Sequence, residues 1–268
     1  MTVASLPMYD LPELRLATDD WWQGLRQAMV AEGIGEVPVA PGRAADDEAF
    51  WRRKDLLLSQ TCGYPLMTDY CDDLMLLGTP HYDVPGCDGD RYSSWIIVAA
   101  ESPATSLEDL RGSTCVVNAW TSHSGMNALR HRIAPLANGG AFFDQVVISG
   151  GHRNSVQMVA EGKGDVAAID CVTWALIVDV APVELSGVRI LDQTAMVPGL
   201  PYVTTAGRDD DEKARLVAAL KQAFVDPDLE DVRGVLRLDG FSATSMTEYD
   251  VILWMKNDAA KRGYPFLK

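Results

Sequence analysis

The chain has 268 residues, of which 47% are apolar and 23% charged, enough apolar material for one large domain or two small ones and too much for wholesale disorder. Asp and Glu number 38 against 23 Lys and Arg, giving a formal net charge of −15. That balance argues against duplex nucleic acid and against anionic membrane surfaces as partners, since both call for a basic face. A small anion stays open, because clustered backbone N–H groups bind one inside an acidic protein.

The N-terminal MTVASLPMYD has neither the basic nor the apolar part of a secretory signal, and no apolar run reaches membrane-spanning length. The chain as written is expected in the cytoplasm, or in the periplasm if a native export signal is missing. Cys62, Cys71, Cys87, Cys115 and Cys171 contain no C-x-x-C pair, so reduced structural thiols are expected rather than a metal site.

In chain order, Ala4–Met8 reads as a short strand. Thr18 or Asp19 can cap a helix through Glu32, with Trp22, Leu25, Met29 and Val30 on its apolar face and Gly33 as its stop. A charged helix is predicted near Asp46–Lys54, a buried strand over Leu56–Leu58 and a central strand over Trp95–Ala100. Ser106 can cap a short turn to Leu110. The strands Thr114–Asn118, Val146–Ser149, Asp165–Ile169 and Val188–Leu191 then alternate with helices over Ser124–Ile133, closed by Pro135, over His152–Glu161 and over Asp170–Val180. This alternation predicts a parallel-rich sheet with helices on both faces. Two helices end the chain. Asp209–Val225 has Leu216, Leu220, Ala223 and Phe224 at helical spacing, and Thr247–Arg262 has Val251, Ile252, Trp254 and Met255 inward.

The fold class is therefore α/β with two lobes, the second inserted into the first. Residues 1–93 and 202–268 form lobe 1 and residues 94–201 form lobe 2. The crossings fall near Tyr92–Trp95 and Pro198–Tyr202.

The sharpest chemical feature is the turn Ser122-His123-Ser124-Gly125 between a strand and a helix. Helix-start N–H groups and hydroxyls make an oxyanion site there, or the turn is an ordinary Ser N-cap. Gly150-Gly151-His152-Arg153-Asn154-Ser155 repeats the logic, bringing His152 and Ser155 to a helix start. Asp170 ends an apolar strand, where open α/β sheets face their ligands; it reads equally as a helix N-cap. Gln60, Thr61 and Tyr64 offer an amide, a hydroxyl and a phenol after the Leu56–Leu58 strand, and Tyr9 follows the first strand. No phosphate-loop, dinucleotide, nucleophile-elbow or zinc-protease signature is present. Neither catalytic residue nor cofactor is expected.

Ser122-His123-Ser124-Gly125 resembles the S-T-S-G anion loop of phosphate/phosphite/phosphonate ABC-transporter binding proteins. The runs Gly151–Ser155 and Glu161–Asp170 resemble that family's next block, Ser106–Gly112 its S-L-x-D-L-x-G entry to the second lobe, and Gln60–Pro65 a further segment. The resemblance implies a type II periplasmic-binding-protein fold, mixed sheets flanked by helices with a cleft between lobes that close by a hinge. It assigns anion binding to Ser122, Ser124 and Gly125 and the family carboxylate to Asp170. The middle Thr of the loop is His123 here, which either adds a charge-assisted bond to a dianion or points outward. The expected function is capture of a small oxyanion of phosphonate, phosphite or phosphate type for ABC-type transport or sensing, with a transporter permease as the implied partner. The alternative is an enzyme on the same fold acting on a small carboxylate or phosphate ester, with Asp170, His123, His152 and Cys62 as its players.

Overall fold

The structure is a computed structural model and describes residues 2–43 and 48–268. Its main strands are β1 (Val3–Ala4), β2 (Leu56–Gln60), β3 (Leu74–Tyr82), β4 (Ser94–Ala99), β5 (Thr114–Val117), β6 (Gln145–Ile148), β7 (Val166–Asp170), β8 (Val188–Gln193), β9 (Tyr202–Thr205) and β10 (Leu238–Ser242). The helices used below are α1 (Arg15–Ala31), α2 (Gly63–Thr68), α3 (Ala128–Ala137), α4 (His152–Ala160), α5 (Cys171–Val180), α6 (Asp210–Val225) and α7 (Asp250–Lys261). None of the described helices is long and apolar enough to cross a membrane.

The chain divides into two compact units. The first comprises Met1–Asp83, Asp88–Arg91 and Pro198–Tyr249, and the second Val84–Cys87, Tyr92–Val197 and Asp250–Lys268.

The first unit holds a five-stranded sheet in the order β1–β2–β9–β3–β10. β2 is parallel to β1, whereas β9 runs antiparallel to both its neighbours and β10 antiparallel to β3. Every residue of β2 is buried, as its unbroken apolar start requires of a strand covered on both faces. In α1, Trp21, Trp22, Leu25 and Met29 are buried. Trp21 packs edge-on against Phe224 of α6 at 5.0 Å and donates Nε1–H to the Tyr202 hydroxyl at 3.2 Å. Helix α1 begins at Arg15, three residues before Thr18 and four before Asp19, the two predicted caps, because Pro12 opens a 3₁₀ turn that runs into it. Its end follows the prediction. Gly33 adopts φ +74°, and Gly33 N–H to Val30 O and Ile34 N–H to Met29 O close a Schellman cap. Val30, expected on the buried face, is 54% exposed; Trp21 takes its place. Of the predicted helix Asp46–Lys54, Asp46 and Asp47 lie outside the described residues, and Glu48–Trp51 is helical.

The second unit holds a sheet in the order β8–β4–β7–β5–β6. β7, β5 and β6 are parallel, while β4 is antiparallel to both β7 and β8, so the sheet is mixed rather than parallel-rich. Ile97, Val116, Ala167 and Ile169 from its centre pack with Val156 and Val159 of α4. The parallel strands place three successive strand-to-helix turns at one edge: β5 to α3, β6 to α4 and β7 to α5.

The unit boundaries differ from the expected ones at the C-terminus. Asp250–Lys268 goes with the second unit. Arg130 of α3, buried, is the anchor: its guanidinium donates to the carbonyls of Pro265 (2.6 Å) and Lys256 (3.3 Å) and to Asn127 Oδ1 (2.8 Å). The last carbonyl, of Lys268, accepts the N–H groups of Phe142 and Phe143. Helix α7 buries Ile252, Met255 and Ala259 but leaves Trp254, predicted inward, 56% exposed. Pro135 lies inside α3 rather than closing it, and Asn138 in the left-handed region ends the helix.

Candidate functional site

The turn after β5 is built by its own hydroxyl. Ser122, in extended conformation, accepts the Gly125 N–H on Oγ at 3.0 Å. The next turn, His123–Asn127, is π-helical, with Ala128 N–H donating to His123 O before α3 takes over. Such widened turns recur at functional sites. Here it turns Ser122, His123 and Ser124 inward, and all three are buried. Gly125 is required sterically: a Cβ there would fall 1.9 Å from Asn118 Oδ1 and 3.3 Å from His152 Cε1.

The second predicted turn meets the first. His152 Nε2, at the start of α4, lies 2.8 Å from Ser124 Oγ, and Ser124 Oγ lies 3.4 Å from Ser122 Oγ. Burial lowers the His152 pKa to about 4, so the imidazole is neutral near pH 7. His123 is more deeply affected. Burial, then the nearby His131, lower it to about 3. Arg130 donates to Asn127 Oδ1, which fixes the Asn127 amide so that its Nδ2 donates to His123 Nδ1 at 3.1 Å. The His123 proton is thereby placed on Nε2. His123 thus neither points outward nor carries charge; it is a buried neutral ring beside Tyr92, 6.4 Å between centroids.

Two further predicted residues serve their own turns. Ser155 Oγ lies 2.7 Å from Ser149 Oγ and also donates to the Gly151 carbonyl at 3.2 Å. Asp170 caps α5: its Oδ1 accepts the N–H groups of Val172 (2.8 Å) and Thr173 (3.2 Å).

Tyr9, Gln60, Thr61 and Tyr64 belong to the first unit. Tyr9 meets Tyr82 edge-on at 5.0 Å. Gln60 Nε2 donates to the Tyr82 hydroxyl (3.2 Å) and the Leu200 carbonyl (3.0 Å). Tyr9, Gln60 and Tyr82, with Trp21 and Tyr202, line a small cavity. Thr61 is held by its N–H to Pro201 O at 3.1 Å, and Tyr64 is buried in α2. Cys62 stands at the N-cap of α2.

Two residues outside the predicted set stand beside it: Tyr82 contacts Tyr9 and Gln60, and Asn118 Oδ1 lies against Gly125. Asn118 directly follows β5, and its position at a strand's carboxyl end was the available signal.

A two-unit α/β chain whose parallel strands end in hydroxyl-rich helix starts is the architecture of a type II periplasmic binding protein. Solved structures agree on this fold. A binding-protein component of an ABC phosphonate transporter from Pseudomonas aeruginosa is 17% identical, with TM-score 0.77, covering 97% of this chain and 87% of its own. PhnD1 from Prochlorococcus marinus, solved with methylphosphonate, is 14% identical, with TM-score 0.74, covering 97% and 98%. XAC2383 from Xanthomonas citri, solved with chloride, is 21% identical, with TM-score 0.72, covering 97% and 98%. None of the curated proteins compared with the chain matches it. Residues 55–249 match the family described as the periplasmic substrate-binding protein of the phosphonate ABC transporter. The chain belongs to that family, and its role is solute binding. The alternative reading as an enzyme finds no support in this match.

Proposed function

We propose that the chain captures a small tetrahedral oxyanion of the phosphonate class and presents it to an ABC transporter permease. The observation that carries this reading is the buried contact of Ser124 with His152, with Ser122 beside it, at the joined starts of two helices. Hydroxyl and imidazole N–H donors, reinforced by helix-start dipoles, hold a dianion without a cationic side chain. The overall negative charge is little obstacle, since exposed charges are screened over about 8–10 Å. Methylphosphonate in one structural relative and chloride in another are consistent with an anion site.

The test is a melting-temperature series with phosphate, phosphite, sulfate, several phosphonates and simple carboxylates. A ligand that binds only the folded state raises the midpoint with concentration. The reading expects saturable stabilisation by a phosphonate or phosphite and less by carboxylates. Stabilisation by carboxylates alone would contradict it.

A further inference from the structure

Two thiols of the second unit stand against each other: Cys87 Sγ lies 3.5 Å from Cys171 Sγ. Cys171 is buried, whereas Cys87 is partly exposed. The backbone holds them there. Gly86 adopts φ +95°, and a Cβ on it would fall 2.7 Å from Cys171 Cβ and 3.1 Å from Trp95 Cζ2, so a residue with a side chain would push the two cysteines apart. Ser93 fastens both sides. Its Oγ donates to the Gly86 carbonyl at 2.9 Å, and its carbonyl accepts the Cys171 N–H at 3.1 Å. A disulfide has its sulfurs about 2.05 Å apart, so closure asks for an approach of about 1.5 Å, within the range of side-chain rotation.

We infer that Cys87 and Cys171 form a reversible redox modification site, oxidised to an intramolecular cystine by a small disulfide of the glutathione class. Cys87, the accessible member, attacks one sulfur of the oxidised glutathione. A mixed disulfide forms, and one glutathione leaves with the Cys87 proton. Cys171 then attacks Cys87 Sγ, the mixed disulfide breaks, and the second glutathione leaves with the Cys171 proton. The two protein thiols give up two electrons and the glutathione disulfide accepts them. Contact with Cys87, then burial, raise the Cys171 thiol of the reduced pair above its ordinary range, so the first attack falls to Cys87. The cystine would fasten the segment Val84–Cys87 to the first residue of α5, next to its cap Asp170.

The test treats the whole chain with excess oxidised glutathione, quenches in acid, alkylates the remaining thiols and maps peptides by mass spectrometry. The inference expects one link, between the peptides of Cys87 and Cys171, a protein lighter by two hydrogens, and full reversal by dithiothreitol. Cys171→Ser should trap glutathione on Cys87, and Cys87→Ser should leave Cys171 alkylatable. If Cys171→Ser does not fold, the order in which the wild-type Cys87 and Cys171 become protected reads the same sequence of steps. Glutathione that stays on Cys87 of the wild type, or a link that joins another cysteine instead, would overturn the inference.

Discussion

Ser124 Oγ lies 2.8 Å from His152 Nε2, and this contact ties the helix start after β5 to the helix start after β6. The Ser124 hydroxyl has one proton, so if it donates that proton to an anion it keeps its contact with His152 only by accepting from Nε2–H, and needs a donor there. In the free protein the neutral His152 ring gives its N–H to the Ala168 carbonyl, which leaves Nε2 to accept from Ser124; it supplies that donor only when its proton moves to Nε2. Addition of a phosphonate is therefore expected to give nitrogen NMR shifts of the Nε2–H tautomer at His152. His152→Ala should weaken phosphonate binding about tenfold, a neutral hydrogen bond's worth or slightly more. His152→Gln, whose amide N–H reaches a similar place, should recover part of it in calorimetry. Equal affinity in all three proteins would remove His152 from the site.

The buried histidines also set a pH dependence of stability. His123 and His152 have folded pKa values lowered to about 3 and about 4. Below about 6.5 the unfolded chain takes up these protons and the folded chain does not, so stability falls as pH falls. Each histidine is expected to cost about 1.4 kcal/mol per pH unit between pH 6.5 and its folded pKa. His131, also lowered by burial against the opposing pull of Asp258, adds in the same direction. Urea midpoints at pH 7, 6 and 5 check this. A flat profile would mean that the rings are solvated.

Gly125→Ala forces a Cβ to within 1.9 Å of Asn118 Oδ1. The expected loss is about 1–3 kcal/mol of stability, typical of overpacking. Combining it with Asn118→Ala should recover most of that loss, because the obstructing side chain is gone. Additive losses in the double-mutant cycle would place the clash elsewhere.

Asp170 separates a cap from a ligand contact. Its carboxylate accepts the Val172 and Thr173 N–H groups. Asp170→Ala is expected to cost about 1 kcal/mol and Asp170→Asn only a few tenths, since Asn caps as well as Asp. Thermal unfolding of the two variants measures the difference. Calorimetry on Asp170→Asn then reports whether the charge also touches the solute.

Local chemistry was legible where one residue controls one turn. Asp209 caps α6 through the Glu212 N–H, and Leu216, Leu220, Ala223 and Phe224 are buried as their spacing predicts. The turns at Ser122 and His152 were found because hydroxyls and glycines stand at strand ends, but their meeting at Ser124 depends on β5 and β6 being neighbours, a relation no local spacing carries. β3 escaped notice because Gly78 and Pro80 interrupt its apolar run; Gly78 sits at φ +152° in the strand, beside Phe241 of β10. Val30 and Trp254 were misplaced because a helical stripe gives the face but not its width. The assignment of the C-terminal tail rests on the buried Arg130 and its carbonyl partners, distant in sequence.

The most direct measurement is calorimetric titration of the wild-type chain, Ser122→Ala and Ser124→Ala with methylphosphonate. The account predicts a defined affinity for the wild type and a loss of roughly 1–3 kcal/mol, about 5- to 150-fold, in each variant. Unchanged affinity in both variants, with folding intact, would contradict it.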